Sequence, residues 1–138
     1  MDLNKMMMEF LAEEGFRPHE TPFGIAFKFQ GLNFIYIKDE EDDQYFRLMM
    51  PSIFEITEDN EDMVMRILNE VNGSIKVVKL YTMDLEDEDG KAETSVWVAF
   101  EILADTTPEL KDFVPRAVNL LQSARIAFLS KIEEAAEK

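Results

Sequence analysis

The only histidine of the chain, His19, is the first residue to consider as a general base. It stands between Pro18 and Glu20, next to a predicted turn. A histidine that activates a nucleophile needs that nucleophile and an orienting group within hydrogen-bond reach. No local motif supplies either group, so we predict a solvated loop histidine without a catalytic role.

Two acidic segments invite comparison with metal sites. In residues 84–90, Asp-Leu-Glu-Asp-Glu-Asp-Gly, placing Gly90 at position 6 of a calcium-binding loop puts Leu85 at position 1 and Val96 at position 12. Both positions need oxygen ligands. We therefore interpret the segment as a hairpin turn that carboxylates keep soluble, with weak adventitious calcium binding as the alternative. Residues 39–43, Asp-Glu-Glu-Asp-Asp, are interpreted as a solvated loop or, alternatively, as a patch for a cation or a basic partner.

Other catalytic patterns are missing from the sequence. The serines lack the strand-to-helix elbow of a nucleophile, and the five glycines are dispersed as turns and caps instead of forming a phosphate-binding loop. The chain has no cysteine, which excludes thiolate nucleophiles and cysteine metal sites. We predict no catalytic, metal-binding or cofactor-binding residue, and no enzymatic activity.

Charge narrows the choice of partner. The 138 residues include 29 acidic and 14 basic side chains, for a net charge of −15. Such a field repels nucleic-acid phosphates and favours a basic or weakly charged protein partner, or it serves only solubility. We predict no contact with nucleic acid and none with a membrane. The acidic N-terminal residues have the wrong charge order for a secretory signal, so we expect a cytoplasmic protein.

Hydrophobic periodicity predicts three helices. The first covers residues 3–14, with Gly15 as its C-cap. The second carries the stripe Val64, Ile67, Leu68 and Val71, begins at a cap formed by Thr57 or Asp59, and ends at Gly73. The third extends toward Glu137, and Pro115 either breaks a helix near Phe113 or marks where the long helix begins.

Five strands complete the predicted order α-β-β-β-α-β-β-α. They cover residues 25–30, 32–38, 45–50, 75–85 and 94–103. Pro51 either ends the third strand or marks it as an edge strand. The order predicts a single α+β domain over residues 1–138, a two-layer α/β sandwich whose antiparallel sheet has helices over one face.

The opposite face of the sheet is the predicted surface of interest. Alternation in the last strand puts Trp97 and Ala99 on it, with Tyr45 or Met49 expected nearby. Either a helix or loop covers Trp97, or the face is an interface. We expect a homodimer that uses either this face or the outer side of the C-terminal helix; if Trp97 is at the interface, its truncation should weaken the dimer without unfolding the monomer. Four other residues are candidate interface residues on helices: Met8, Leu120, Ile126 and Ala127.

The chain resembles the YbjN family of bacterial domains, which are similar in fold to type III secretion chaperones. The likeness spans residues 3 to 130. It is carried by residues 13–16, 27–37, 45–48, 68–72 and 75–77, of which Leu-Asn-Glu-Val-Asn at 68–72 is the most family-like. The resemblance implies the fold, and it implies a role in the regulation of sensory transduction.

Three functional hypotheses follow. The first is a non-enzymatic protein-binding or regulatory domain. The second, implied by the secretion-chaperone resemblance, is a cytoplasmic chaperone that holds an extended segment of a secreted client protein. The third is an enzyme whose carboxylates converge only in three dimensions.

Overall fold

The computed structural model of the protein describes residues 1–137. The helices are α1 (Leu3–Glu13), α2 (Glu61–Asn72) and α3 (Val114–Ala136), with a 3-10 turn at Leu110–Asp112. The strands are β1 (His19–Glu20), β2 (Gly24–Phe29), β3 (Leu32–Ile37), β4 (Tyr45–Ile56), β5 (Lys79–Glu86) and β6 (Ala92–Leu103). They form one antiparallel sheet in the order β1-β2-β3-β4-β6-β5. The predicted α+β class and antiparallel sheet are confirmed; Lys138, at the end of the predicted domain, lies outside the described residues.

The helices and one face of the sheet enclose the main core. Successive side chains of a strand point to opposite faces, and Val96, Val98 and Phe100 of β6 lie on the face that α1, α2 and α3 cover. Phe34, Tyr36, Phe46 and Phe128 are among the largest fully buried side chains there. The two layers therefore follow the predicted arrangement.

The start of α2 differs from the sequence prediction, whereas the start of α3 agrees with one of the two predicted alternatives. The N-cap of α2 is Asn60, so the prediction of Thr57 or Asp59 is wrong. The Asn60 side chain accepts a hydrogen bond from the Thr57 backbone N–H at 2.8 Å and stabilises the preceding turn instead of the helix. α3 begins at Val114 with Pro115 in its first turn, where the missing N–H costs no helical hydrogen bond.

Three strands also differ. β4 continues through Pro51 to Ile56, because its register with β6 shifts between Met50 and Phe54, and a bulge of this kind tolerates proline. β5 begins at Lys79 instead of residue 75, since Val77 has a φ of 70° that a strand cannot accommodate. The strand β1 was not predicted, and it places the exposed His19 on the sheet edge instead of in a loop.

Candidate interaction surface

A second apolar cluster forms on the sheet face that no helix of residues 1–137 covers. We call it the outer sheet surface, and its members are Ile35, Ile37, Met49, Tyr81, Met83, Trp97 and Ala99. The strand register brings them together: Met49 is opposite both Ile35 and Ala99, and Tyr81 is opposite Trp97. Residues opposite each other on neighbouring strands share a face and pack side by side.

The side chains at the centre of the outer sheet surface are buried by the side chains around them. Met49, Trp97 and Ala99 are 2%, 9% and 1% exposed. Four residues around them, which we call the rim, are half-buried: Ile35, Ile37, Tyr81 and Met83. All apolar residues that pack with Trp97 belong to strands, so the predicted alternative of a helix or loop over it is wrong. The expected neighbour Met49 is confirmed, and the interface role of Trp97 and Ala99 stays a prediction.

Hydrogen bonds fix the indole of Trp97 within the chain. Its Nε1 donates to the Ser95 hydroxyl at 3.1 Å, and that buried hydroxyl lies 3.1 Å from the hydroxyl of Ser52 in the β4 bulge. Tyr81 Oη also donates to Met49 Sδ at 3.7 Å. Truncating Trp97 therefore removes packing that stabilises the monomer itself, and the expectation that it weakens the dimer without unfolding the monomer stays a prediction.

A polar cluster lies at one end of this surface, formed by Tyr45, Arg47, Lys79 and Glu101. The carboxylate of Glu101 accepts a hydrogen bond from Tyr45 Oη and pairs with Lys79 Nζ. Arg47 Cζ lies 5.6 Å from the centre of the Tyr45 ring. Among residues 1–137 the buried Nε of Arg47 has no hydrogen-bond partner. With two cations beside one carboxylate, this end of the surface carries no excess of negative charge.

The protonation states of the polar cluster are set by burial and by these contacts. Burial, together with the hydrogen bond to Glu101, raises the pKa of Tyr45 to about 12. Burial opposes ionisation of Glu101, but the hydrogen bonds from Lys79 and Tyr45 outweigh it and hold the pKa below its usual range. At neutral pH Glu101 is an anion and Tyr45 a neutral donor. The arrangement is a stable ion network rather than an acid–base pair.

A cavity of about 250 Å³ opens on the helical side of the sheet, between the end of α1, β2 and the start of α3. We call it the aromatic pocket. Its apolar walls include Phe10, Phe16, Phe27, Phe29, Val114 and Val118. The Phe16 ring stands edge-on to Phe27 and to Phe29, with both centroid distances 5.6 Å. No sequence pattern indicates this pocket, because its walls come from three separate elements.

The end of α1 positions Phe16 in the pocket. Gly15 has a φ of 89°, its N–H donates to the Ala12 carbonyl at 3.2 Å, and the N–H of Phe16 donates to the Leu11 carbonyl at 3.0 Å. This pair of bonds is the Schellman motif, which ends a helix at a left-handed residue and places an apolar side chain just beyond it. The C-cap of α1 is Glu14 instead of the predicted Gly15, which lies one residue beyond it and makes the turn that places Phe16 in the pocket wall.

The remaining candidate interface residues lie in the helical layer, away from the outer sheet surface. Met8, Leu120 and Ala127 are half-buried and pack against the main core. Ile126 is 60% exposed on α3. The structure therefore leaves only one of these four side chains fully available to a partner.

The acidic segments use carboxylates to shape their own turns. Asp87 accepts from the backbone N–H of Asp89 and Lys91 in the β5–β6 turn, and Asp39 likewise accepts from residues 41 and 42. Across the described part of the chain, no group of three or more acidic or histidine side chains is arranged to hold a metal ion. Nor does any helix within residues 1–137 combine the length and apolarity needed to cross a bilayer.

Asn72, the last residue of α2, contacts the outer edge of β5. Its Oδ1 accepts from the Leu80 backbone N–H at 2.8 Å, and its Nδ2 donates to the Leu80 carbonyl at 2.9 Å. The side-chain amide thus replaces a neighbouring strand at this residue. The sequence contained no signal for this contact, although Asn72 closes the stretch that most resembles the YbjN family.

Solved structures include a protein of the same fold. The chain matches the crystal structure of YbjN from E. coli, described as a proposed transcription regulator, with a TM-score of 0.66 and 12% sequence identity over 95% of this chain and 92% of that chain. At this identity the likeness shows the fold alone, and it confirms the YbjN-like fold that the sequence resemblance implied. No protein-family model matches the chain, and no curated protein matches it significantly.

Proposed function

We propose that this chain is a non-enzymatic regulatory domain that acts through protein binding, and that the outer sheet surface is the contact surface of a homodimer. The observation that carries the proposal is the half-buried apolar rim on a sheet face that no helix of residues 1–137 covers. A sheet face of this kind buries further apolar area only when a partner covers it. Leu103, 72% exposed and opposite Tyr45, extends the apolar area at the end of the surface.

The charge distribution favours a second copy of the chain at this surface. Two molecules with a net charge of −15 repel each other, and the repulsion is weakest where the local charge is balanced. Arg47 and Lys79 beside Glu101 supply that balance. A twofold axis places the same patch on both copies, so a cation of one copy can meet Glu101 of the other.

The fold supports a regulatory rather than a catalytic role. YbjN of E. coli shares the fold and is described as a proposed transcription regulator. The acidic charge of this chain opposes direct contact with DNA. We therefore infer that regulation proceeds through contacts with protein.

Sedimentation equilibrium at micromolar concentration tests the proposal. We expect a species of twice the 16.0 kDa chain mass. Ile37→Lys adds a charge to the rim and should give a folded monomer, whereas Ile126→Lys makes the same change on the exposed side of α3 and should leave the dimer intact. Melting curves show whether each variant is folded.

Two results would contradict the proposal. A monomer at every concentration would rule out the homodimer. A dimer lost with Ile126→Lys and kept with Ile37→Lys would move the interface to α3.

A further inference from the structure

The aromatic pocket is large enough for a small ligand. An apolar cavity of about 150 Å³ is sufficient to bind benzene, and this one measures about 250 Å³. Its deep walls are firmly placed, since Leu11, Phe27 and Val118 are buried members of the main core. One aromatic ring with a short substituent fits such a volume.

The walls suit an aromatic ring. Aromatic pairs prefer edge-to-face or offset arrangements with ring centres about 4.5 to 7 Å apart. Phe16 already adopts edge-to-face geometry with Phe27 and with Phe29 at the pocket, so the three rings present both edges and faces to an incoming ring. A ring is therefore held by directional contacts as well as by burial.

The mouth of the pocket selects the charge of the ligand. Glu14 and Asn119 are its polar lining residues, and no lysine, arginine or histidine lines it. Within residues 1–137 the carboxylate of Glu14 forms no ion pair. The C-terminal end of α1 and the N-terminal end of α3 border the pocket with opposite partial charges, so the carboxylate decides the balance. An anionic ligand is repelled here, and a cationic group is attracted.

We propose that the aromatic pocket binds a small aromatic ammonium compound. The ring lies among Phe16, Phe27 and Phe29, and the ammonium group lies beside the Glu14 carboxylate. This site is on the opposite side of the sheet from the outer sheet surface, and it does not depend on dimerisation.

Two probes that share a ring and differ in charge test the proposal. Phenethylamine and phenylacetate are titrated into the isotope-labelled full chain, and amide shifts are followed by NMR. We expect phenethylamine to shift the resonances of residues 10–16 and 114–119 in a saturable manner, and phenylacetate to bind several-fold more weakly. Phenethylamine without effect at millimolar concentration, or phenylacetate binding equally well, would overturn the proposal.

Variants separate the roles of charge and ring. Glu14→Gln should remove the preference for the amine, whereas Glu13→Gln, one residue earlier on α1 and outside the pocket lining, should retain it. Phe16→Leu should weaken both probes while the amide spectrum stays that of a folded chain. A full preference for the amine in Glu14→Gln, or unchanged affinity in Phe16→Leu, would place the binding elsewhere and contradict the assignment.

Discussion

Gly24 illustrates how a close backbone approach restricts a position to one residue type. A Cβ atom at this position would lie 1.8 Å from the carbonyl oxygen of Tyr36, on the strand with which β2 pairs. Because the obstacle is backbone, no side-chain rotation can relieve the overlap. Gly73, at the end of α2, is the opposite case: its φ is −75°, and the nearest atoms to a Cβ would be carbonyl oxygens at 3.5 Å.

We expect Gly24→Ala to lower the free energy of unfolding by about 2 kcal/mol or more, because β2 and β3 must separate to admit the methyl group. The matched control Gly73→Ala should change it by less than about 0.5 kcal/mol. Urea denaturation followed by circular dichroism measures both values. If the two variants had the same free energy of unfolding, the strands would separate without loss of stability, and the prediction would be wrong.

At the scale of elements, the junction of α2 with β5 protects an edge of the sheet. β5 is the last strand in the order, so one of its sides has no strand partner. Unpaired edges invite pairing with other chains. Asn72 satisfies both backbone groups of Leu80 on this side, and the acidic Asp84 and Glu86 follow farther along the strand. The helix end and the charges together discourage the addition of a foreign strand.

Replacing Asn72 with alanine tests this contact. The variant loses two hydrogen bonds to Leu80, and we expect the free energy of unfolding to fall by about 1 to 2 kcal/mol. Asn69→Ala is the control, since both substitutions bring the same gain in helix propensity, and the Asn69 side chain makes no hydrogen bond within the described chain. Chemical denaturation gives the difference between the two, and a difference near zero would contradict a structural role for the amide.

Periodicity predicted the helices well because it reports which side chains face a core. All four residues of the predicted α2 stripe are buried. The β-type pattern of residues 75–85 was less reliable at its start, since alternating apolar residue types do not reveal the positive φ of Val77. The prediction that Pro51 ends or edges its strand was wrong for a related reason. The bulge that accommodates Pro51 depends on the register with β6, which the sequence of β4 alone does not encode.

For the whole molecule, the strand order was the missing information. Alternation within β6 placed Trp97 and Ala99 on the outer face correctly. The rim followed only from the structure, because β6 lies between β4 and β5 and brings distant parts of the chain together. The same limit applies to the aromatic pocket, whose walls require the docking of α1 and α3 on β2.

The net charge of −15 makes association of two whole molecules sensitive to salt. Repulsion between the copies extends over about 10 Å at 0.1 M salt and only about 3 Å at 1 M. Apolar contact at the rim does not depend on charge in this way. Raising the salt concentration should therefore weaken the repulsion between the two copies more than it weakens the attraction between the few charges of the polar cluster.

We accordingly expect the dissociation constant of the homodimer to fall several-fold when sodium chloride is raised from about 0.05 M to about 0.5 M, as measured by sedimentation equilibrium. Glu9→Lys, an exposed change on α1 away from the outer sheet surface, should also strengthen the dimer at low salt, because it reduces the negative charge of each copy. It should have little effect at high salt, where the charge is screened. A dimer that weakens as salt rises would mean that ion pairs across the interface, from Arg47 or Lys79 to Glu101 of the other copy, contribute more to association than the rim does.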